Sequence, residues 1–296
     1  MYDIIIIGGG CAGLTAAVYS ARSGKSVLVI EGESFGGQIT AAPKIENYPA
    51  IGLISGMEFA DSLFGQAEKA GAQFEFDTVT GIVDGQVKTV VTEDSEFMAK
   101  AVIIASGAKH RHLGIDGEER LSGRGVSYCA LCDGSFFKGK TAVVAGGGNT
   151  AFSDALYLSA ICGKVYLIHR RNSFRADKVL VERAKNCRNI EIITDTVIKK
   201  VIGESAVSGV LIETGGDSKE LNTDALFVAV GQSPENEIYK DVVELDENGY
   251  IIAGEACRTT AKGIFAAGDC RTKAVRQLTT AAADGANAAL AACAEV

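Results

Sequence analysis

Hydrophobic positions along this chain fall into short unbroken runs that end in glycine, and most of these runs lead into a segment of helical character. Asp3-Ile-Ile-Ile-Ile7 is β-branched and uninterrupted by polar residues, the pattern of a strand buried on both faces. It opens into Gly8-Gly9-Gly10-Cys11-Ala12-Gly13 and a helix predicted over residues 14–23, followed by a second strand over 26–30. Residues 58–70 are amphipathic and predict another helix. Residues 74–98 alternate as strands do, with Asp84-Gly85 as a turn, and 101–107 form a further buried strand ending at Gly107. The opening pattern then returns: an apolar run over 140–145, Gly146-Gly147-Gly148-Asn149-Thr150-Ala151, and a helix to residue 159. A run ending at Gly231 mirrors the one ending at Gly107. The last apolar run, 263–269, ends in Gly268-Asp269 without opening a new glycine loop, and an alanine-rich helix is predicted over 278–292.

A strand, a glycine loop and a helix make a dinucleotide site. Gly8 permits the tight turn, Gly10 lets a pyrophosphate approach the backbone, Gly13 lets helix and strand pack closely, and the helix N-terminus faces the phosphate charge. Because Gly8 and Gly146 open equivalent loops, the chain carries two such domains. The third glycine-ended strand packs most simply back onto the first domain, so the second domain is an insertion. The expected fold is α/β, with two Rossmann-like, three-layer ββα dinucleotide-binding domains, the second inserted into the first. The expected boundaries are 1–113 and 244–296 for the first domain and 114–243 for the second.

The residues after the second strand of each domain differ in sign. Glu31 stands where an acid accepts hydrogen bonds from an adenosine ribose. The corresponding place in the repeat, beyond Gly146, Gly148, Asn149 and Thr150, holds His169-Arg170-Arg171, with Arg175 one turn later. Guanidinium forks bind a 2′-phosphate that a carboxylate repels, so the second site is expected to prefer NADPH over NADH. Gly37, Gln38 and Asn47 lie in a connection too long for a simple turn. Their amides suit a ring with donor and acceptor edges, and ordinary turn chemistry accounts for them equally well. The N-terminus of the last helix, at Arg276-Gln277-Leu278, is placed to face a flavin's ring edge or its phosphates.

Lys and Arg number 29 against 37 Asp and Glu, a net charge of −8, so nucleic acid is not an expected partner. No run approaches the ~20 apolar residues of a membrane span, and no signal peptide opens the chain, so a cytoplasmic protein is expected. In such a compartment eight cysteines are mostly free thiols. One pair stands apart, Cys129-Ala-Leu-Cys132 followed by Asp133, lying between the two glycine loops. A structural zinc site needs a second ligand pair at suitable spacing. The other cysteines are scattered singly, and His110 and His112 read as an exposed loop, so the pair reads as a dithiol/disulfide centre and no metal is expected. Asp133 is the only carboxylate adjoining it, and a thiolate leaving group needs a proton supplied close by.

In their order along the chain, these motifs resemble the low-molecular-weight, bacterial-type thioredoxin reductases essentially end to end. The likeness runs through residues 8–13, Gly36-Gly37-Gln38, 45–49, 123–134, 146–151, 169–176, 263–269 and Arg276-Gln277. Leu131 departs from the threonine commonest between the two cysteines. The resemblance implies FAD in the first and last segments, NADPH in the inserted domain, a homodimer, and reduction of the disulfide of thioredoxin or a thioredoxin-like protein. It further implies that Cys132 lies nearer the flavin, that Cys129 attacks the partner and that Asp133 exchanges the proton. Because the cysteine pair lies just before Gly146, the disulfide and the nicotinamide site share the inserted domain while the flavin belongs to the other, so the inserted domain is expected to rotate between half-reactions.

Overall fold

The first apolar run forms strand β1 (Tyr2–Ile7), in which Ile4, Ile5 and Ile6 have no exposed surface. Removing each of these side chains from water contributes about 1.5–3 kcal/mol. The structure, a computed structural model, describes residues 1–296 and divides them into two units, Met1–Lys109 with Ser233–Val296, and His110–Gln232.

In the first unit β1 pairs in parallel with β2 (Val27–Glu31) and leads into helix α1 (Cys11–Arg22). Helix α2 (Gly56–Lys69) is opened by a capping box in which Ser55 and Glu58 satisfy one another's backbone N–H. Strands β3 (Gln73–Phe76), β4 (Val79–Val83), β5 (Lys88–Thr92) and β6 (Glu96–Ile104) complete this part of the sheet, in the order β3-β2-β1-β6-β5-β4.

Two expectations are corrected here. The helix begins at Cys11 rather than residue 14, so Gly13 sits in its first turn. The break expected between residues 98 and 101 is absent, because β6 is one strand that changes neighbours midway. Its first half is antiparallel to β5 and alternates, with Glu96, Met98 and Lys100 exposed. Its second half, Ala101 to Ile104, lies between parallel strands and is buried throughout.

Two-residue strand β7 (Lys109–His110) carries the chain into the second unit. There β8 (Val126–Ser127), helix α3 (Ala130–Asp133), β9 (Thr141–Ala145), α4 (Asn149–Ser159), β10 (Lys164–Ile168), α5 (Lys178–Lys185) and β11 (Ile190–Ile193) follow. An antiparallel sheet of β12 (Thr196–Ile202), β13 (Gly209–Thr214) and β14 (Asp217–Asn222) precedes β15 (Ala225–Val228). The parallel sheet has the order β11-β10-β9-β15-β8, with β9 at its centre as β1 is in the first unit.

The chain returns through β16 (Gln232–Ser233) to β17 (Ile264–Ala266), which pairs with β6, and to α6 (Leu278–Cys293). Helix α6 lies against α1 at close range. A Cβ on Gly285 would fall 2.2 Å from the Ala12 carbonyl oxygen, and Ala288, Ala289 and Ala292 are fully buried beside Ala16 and Ala17. The second dinucleotide-binding fold is thus inserted into the first, as the repeat implied.

Candidate functional site

In the first unit, Gly8 has φ +104° and a Cβ there would lie 2.4 Å from the Ala105 carbonyl oxygen, so only glycine makes this turn. Gly13 faces back along the loop, where a Cβ would meet the Gly8 carbonyl oxygen at 1.9 Å. Gly10, by contrast, caps α1 with no side-chain bond, and a Cβ there would meet nothing within 4 Å. The front of the helix is therefore an open cradle of N–H donors. Glu31 holds its rim: its carboxylate accepts from Gly9 N–H at 2.6 Å and Glu33 N–H at 2.8 Å.

The connection carrying Gly37 and Gln38 packs on this loop. Gly36 N–H donates to the Gly9 carbonyl at 2.7 Å, and a Cβ on Gly37 (φ +60°) would touch Gly10. Gln38 donates its side-chain amide to the Ala108 carbonyl, one residue beyond Gly107, itself at φ +71°. Asn47 and Gln277 meet through their amides at 3.4 Å. Arg276 lies over the Tyr250 ring at 4.1 Å and reaches the carbonyls of Asp269, Arg271 and Lys273, while Leu278 opens α6 and accepts from the Cys11 thiol.

Gly268 (φ +80°) and Asp269 begin a tight turn. One oxygen of Asp269, Oδ1, is buried without any partner, and burial pushes its carboxyl above the usual range, against the pull of Lys273 and Arg276. An orphaned acceptor and a bare helix end fit a large ligand with hydroxyls and a pyrophosphate, which FAD has.

Sequence reasoning missed what anchors that turn. Asp284 on α6 accepts from Gly268 N–H at 3.0 Å, from Arg271 at 2.6 and 2.9 Å and from Lys273 at 2.8 Å, all in a buried cluster. The signal available was a lone acid in an alanine-rich helix.

In the second unit Gly146 (φ +156°) repeats the turn of Gly8, with a Cβ there 2.4 Å from the Ala229 carbonyl oxygen. Gly148 caps α4 as openly as Gly10 caps α1. The ring of His169 covers Gly147 and bonds the Ser173 carbonyl at 3.1 Å; burial holds its pKa below the ordinary value, and the neighbouring arginines push the same way. Arg175 N–H donates to the Gly147 carbonyl at 2.9 Å, which fixes the basic segment to the glycine loop. The side chains of Arg170, Arg171 and Arg175 are exposed and make no hydrogen bond or ion pair within the protein. Three uncommitted guanidiniums beside an open helix N-terminus fit a dinucleotide with an additional phosphate.

Asn149 is otherwise engaged: its amide exchanges bonds with Asp177 at 3.1 and 2.8 Å, tying α4 to the start of α5, while Thr150 is exposed. On α4, Asp154 was not singled out by sequence; no hydrogen bond satisfies it, and burial pushes its carboxyl up to about 7.

Cys129 and Cys132 are joined by a disulfide, with Cα atoms 5.3 Å apart. Cys129 caps α3: its carbonyl accepts from Cys132 N–H and Asp133 N–H, and its sulfur accepts from Cys132 N–H at 3.2 Å. Both cysteines are half-buried, and Leu131 between them is 51% exposed. The carboxyl of Asp133 accepts from the Ser127 hydroxyl at 2.6 Å. Burial pushes it above the usual carboxylate range, and the Ser127 bond opposes that shift. The other six cysteines are free.

His110 and His112 are gathered by Tyr128. Its hydroxyl lies 2.7 Å from His112 Nδ1 and donates to Glu118 at 3.0 Å, and the His110 ring stacks on it. Glu118 is buried on three backbone N–H groups, of Leu113, Gly114 and Ile115.

The chain matches the family model of the pyridine nucleotide-disulphide oxidoreductases over residues 2–285. A thioredoxin reductase of Bacillus subtilis (strain 168) is 41% identical over 98% of this chain and 93% of its own length. The solved thioredoxin reductase of Streptococcus pyogenes MGAS5005 is similar with a TM-score of 0.96 at 43% identity, covering 100% of this chain and 98% of that one. The thioredoxin reductase of Lactococcus lactis, solved in an FR conformation, has 41% identity over 100% of this chain and 99% of that one, with a TM-score of 0.68.

Proposed function

From the premise that the chain belongs to the pyridine nucleotide-disulphide oxidoreductases, and within them to the thioredoxin reductases, we propose that it draws electrons from NADPH, with FAD held in the first unit, and delivers them through Cys129 and Cys132 to the disulfide of thioredoxin or a thioredoxin-like protein. The observation that carries this reading is the Cys129–Cys132 disulfide, closed across one turn of helix and flanked by Asp133, in the same unit as the arginines of the second loop.

FAD, when bound, supplies the conversion of a two-electron hydride donor into a dithiol reductant. Residues Gly8, Gly10, Gly13, Glu31, Gly37, Gln38, Asn47, Gly107, Gly268, Asp269, Arg276, Gln277 and Leu278 would hold it. Gly146, Gly148, Thr150, His169, Arg170, Arg171 and Arg175 would hold NADPH, with Asn149, its amide committed to Asp177, contributing its backbone at the head of α4.

In the reduced protein Cys129 acts as the nucleophile toward the partner. Its N-cap position aims the Cys132 N–H at its sulfur, and such a donor favours a thiolate. Cys132 resolves the mixed disulfide and, by the resemblance, is the cysteine that would lie nearer a bound flavin. Asp133 gives and recovers the proton. Delivering the nucleotide and presenting the disulfide are both tasks of the second unit. Each requires contact at about 3–3.5 Å, so one site cannot serve both at once, and the unit rotates between two half-reactions. The thioredoxin reductase of Lactococcus lactis, solved in an FR conformation, supports that rotation.

Six free thiols suit the reducing cytoplasm, and no helix is long and apolar enough to cross a membrane. The resemblance further supports a homodimer.

The test is a pair of variants. Cys132→Ser, incubated with oxidised thioredoxin, is expected to accumulate a mixed disulfide through Cys129. Cys129→Ser is expected to form none and, loaded with FAD, to show the long-wavelength absorption of a thiolate beside an oxidised flavin. Trapping by both variants alike, with equal spectra, would overturn these roles.

A further inference from the structure

One hydroxyl stands between the redox pair and its acid. Ser127, buried at the end of β8, has one hydrogen to give, and two acceptors lie within reach: Asp133 Oδ2 at 2.6 Å and the Cys129 carbonyl at 3.4 Å. The shorter, charge-assisted contact takes the hydrogen. The lone pairs of the same oxygen accept Cys129 N–H at 3.1 Å. Ser127 therefore grips the backbone of the attacking cysteine and the carboxyl of the acid simultaneously, across the junction where β8 turns into α3. No other side chain bonds the Asp133 carboxyl.

We infer that Ser127 is a positioning residue for thiol exchange, holding the Asp133 carboxyl at a fixed place beside Cys129 and Cys132. This rests on the reading of Asp133 as the proton donor. The exchange it serves balances as follows. The Cys129 thiolate attacks one sulfur of the partner disulfide; that S–S bond breaks, a Cys129–partner S–S bond forms, and the departing partner thiolate takes the Asp133 proton. The Asp133 carboxylate then takes the proton of the Cys132 thiol. The Cys132 thiolate attacks Cys129 Sγ, the Cys129–Cys132 bond re-forms, and the second partner sulfur leaves as a thiolate protonated by water. The partner gains two electrons and the Cys129/Cys132 pair loses two.

Helix α3 packs against α4 and the turn Gly134–Phe137, and follows directly on β8 and Tyr128. The titratable groups on these elements are Asp154, Tyr157 and Tyr128. None of them contributes to the Asp133 shift, which burial and Ser127 set between them. A hydroxyl donated to a carboxylate favours the ionised form, so removing it moves the titration to higher pH.

The experiment uses the FAD-loaded protein with oxidised thioredoxin, in Ser127→Ala, Ser127→Thr and Asp133→Asn variants. Asp133 titration is read by carbon-13 NMR of carboxyl-labelled aspartate and assigned by its loss in Asp133→Asn. Ser127→Ala is expected to move that titration upward and to lower kcat by roughly ten- to a hundredfold, the cost of a misplaced group, with KM unchanged. Ser127→Thr, which keeps the hydroxyl, is expected to restore both. In the Asp133→Asn background, Ser127→Ala is expected to cost nothing further. Should Ser127→Ala fail to fold, Ser127→Cys keeps the size with a weaker donor and is expected to give the same shifts in smaller measure. A wild-type rate and pH profile in Asp133→Asn would sink the proton-donor reading. A defective Asp133→Asn beside a Ser127→Ala of unchanged titration and kcat would sink the positioning role alone.

Discussion

The two glycine loops solve one backbone problem and then part company over charge. Gly8 and Gly146 make the same turn against the carbonyl of a returning strand, Ala105 in one and Ala229 in the other, and Gly10 and Gly148 leave the same open helix end. At the end of the second strand the first loop meets Glu31, whose two oxygens are already taken up by the backbone N–H groups of Gly9 in the loop and of Glu33 two residues on. The second loop meets Arg170, Arg171 and Arg175, whose guanidiniums have no protein partner. The acid is thus partly structural and the arginines are wholly outward-looking. Binding a pyrophosphate is built into the turn, while the choice of dinucleotide is placed outside it, on a strand end where sign changes leave the fold intact.

A third difference lies at the last position of the loop, Gly13 in the first and Ala151 in the second. Gly13→Ala would place a methyl 1.9 Å from the Gly8 carbonyl oxygen. It is expected to cost the first unit about 3 kcal/mol, seen as a lowered unfolding midpoint and loss of FAD. An unchanged midpoint would mean that this loop relaxes as easily as its counterpart.

Arg170→Ala and Arg171→Ala are each expected to weaken NADPH by roughly 1.5–3 kcal/mol, or about 10- to 100-fold, and to leave NADH nearly untouched. Fluorescence or calorimetric titration of both nucleotides decides it; an unchanged NADPH/NADH ratio would break the charge comparison.

Glu31→Gln keeps the shape but leaves one acceptor for the two N–H donors of Gly9 and Glu33, its NH2 facing the other. FAD dissociation, followed by flavin fluorescence, is expected to weaken by about 1 kcal/mol, and a loss as large as that of an arginine variant would assign Glu31 the same outward role.

The smallest effect is expected of Ala151→Gly, which restores the glycine of the first loop to a helical position with room for a methyl. A cost of about 0.5–1 kcal/mol in thermal unfolding, with NADPH affinity kept, would confirm that only the first loop needs glycine there.

Much of this was legible because it is written in single residue identities. Glycines at forced φ and β-branched runs between them announce strands, turns and a repeat, and the arginine-for-glutamate exchange announces itself by sign. Two kinds of feature were not legible. The continuity of β6 was hidden because its burial pattern follows its neighbours, which change at Ala101. The polar ties of Ser127 to Asp133, Asp284 to Gly268 and Tyr128 to Glu118 join residues that no periodicity relates. Asn149 shows the converse: chosen for its place in the loop, it spends its amide on Asp177. Such pairings appear only once strands and helices are set beside one another.

The central claim is that electrons entering as NADPH leave through one disulfide of this chain. The direct measurement is anaerobic addition of NADPH to the FAD-loaded protein, followed by alkylation and mass mapping of thiols. Cys129 and Cys132 are expected to change from disulfide to alkylated thiols, the other six cysteines to be the same before and after, and NADH to do far less at equal concentration. A flavin bleached by NADPH with the Cys129–Cys132 bond still closed would contradict the account.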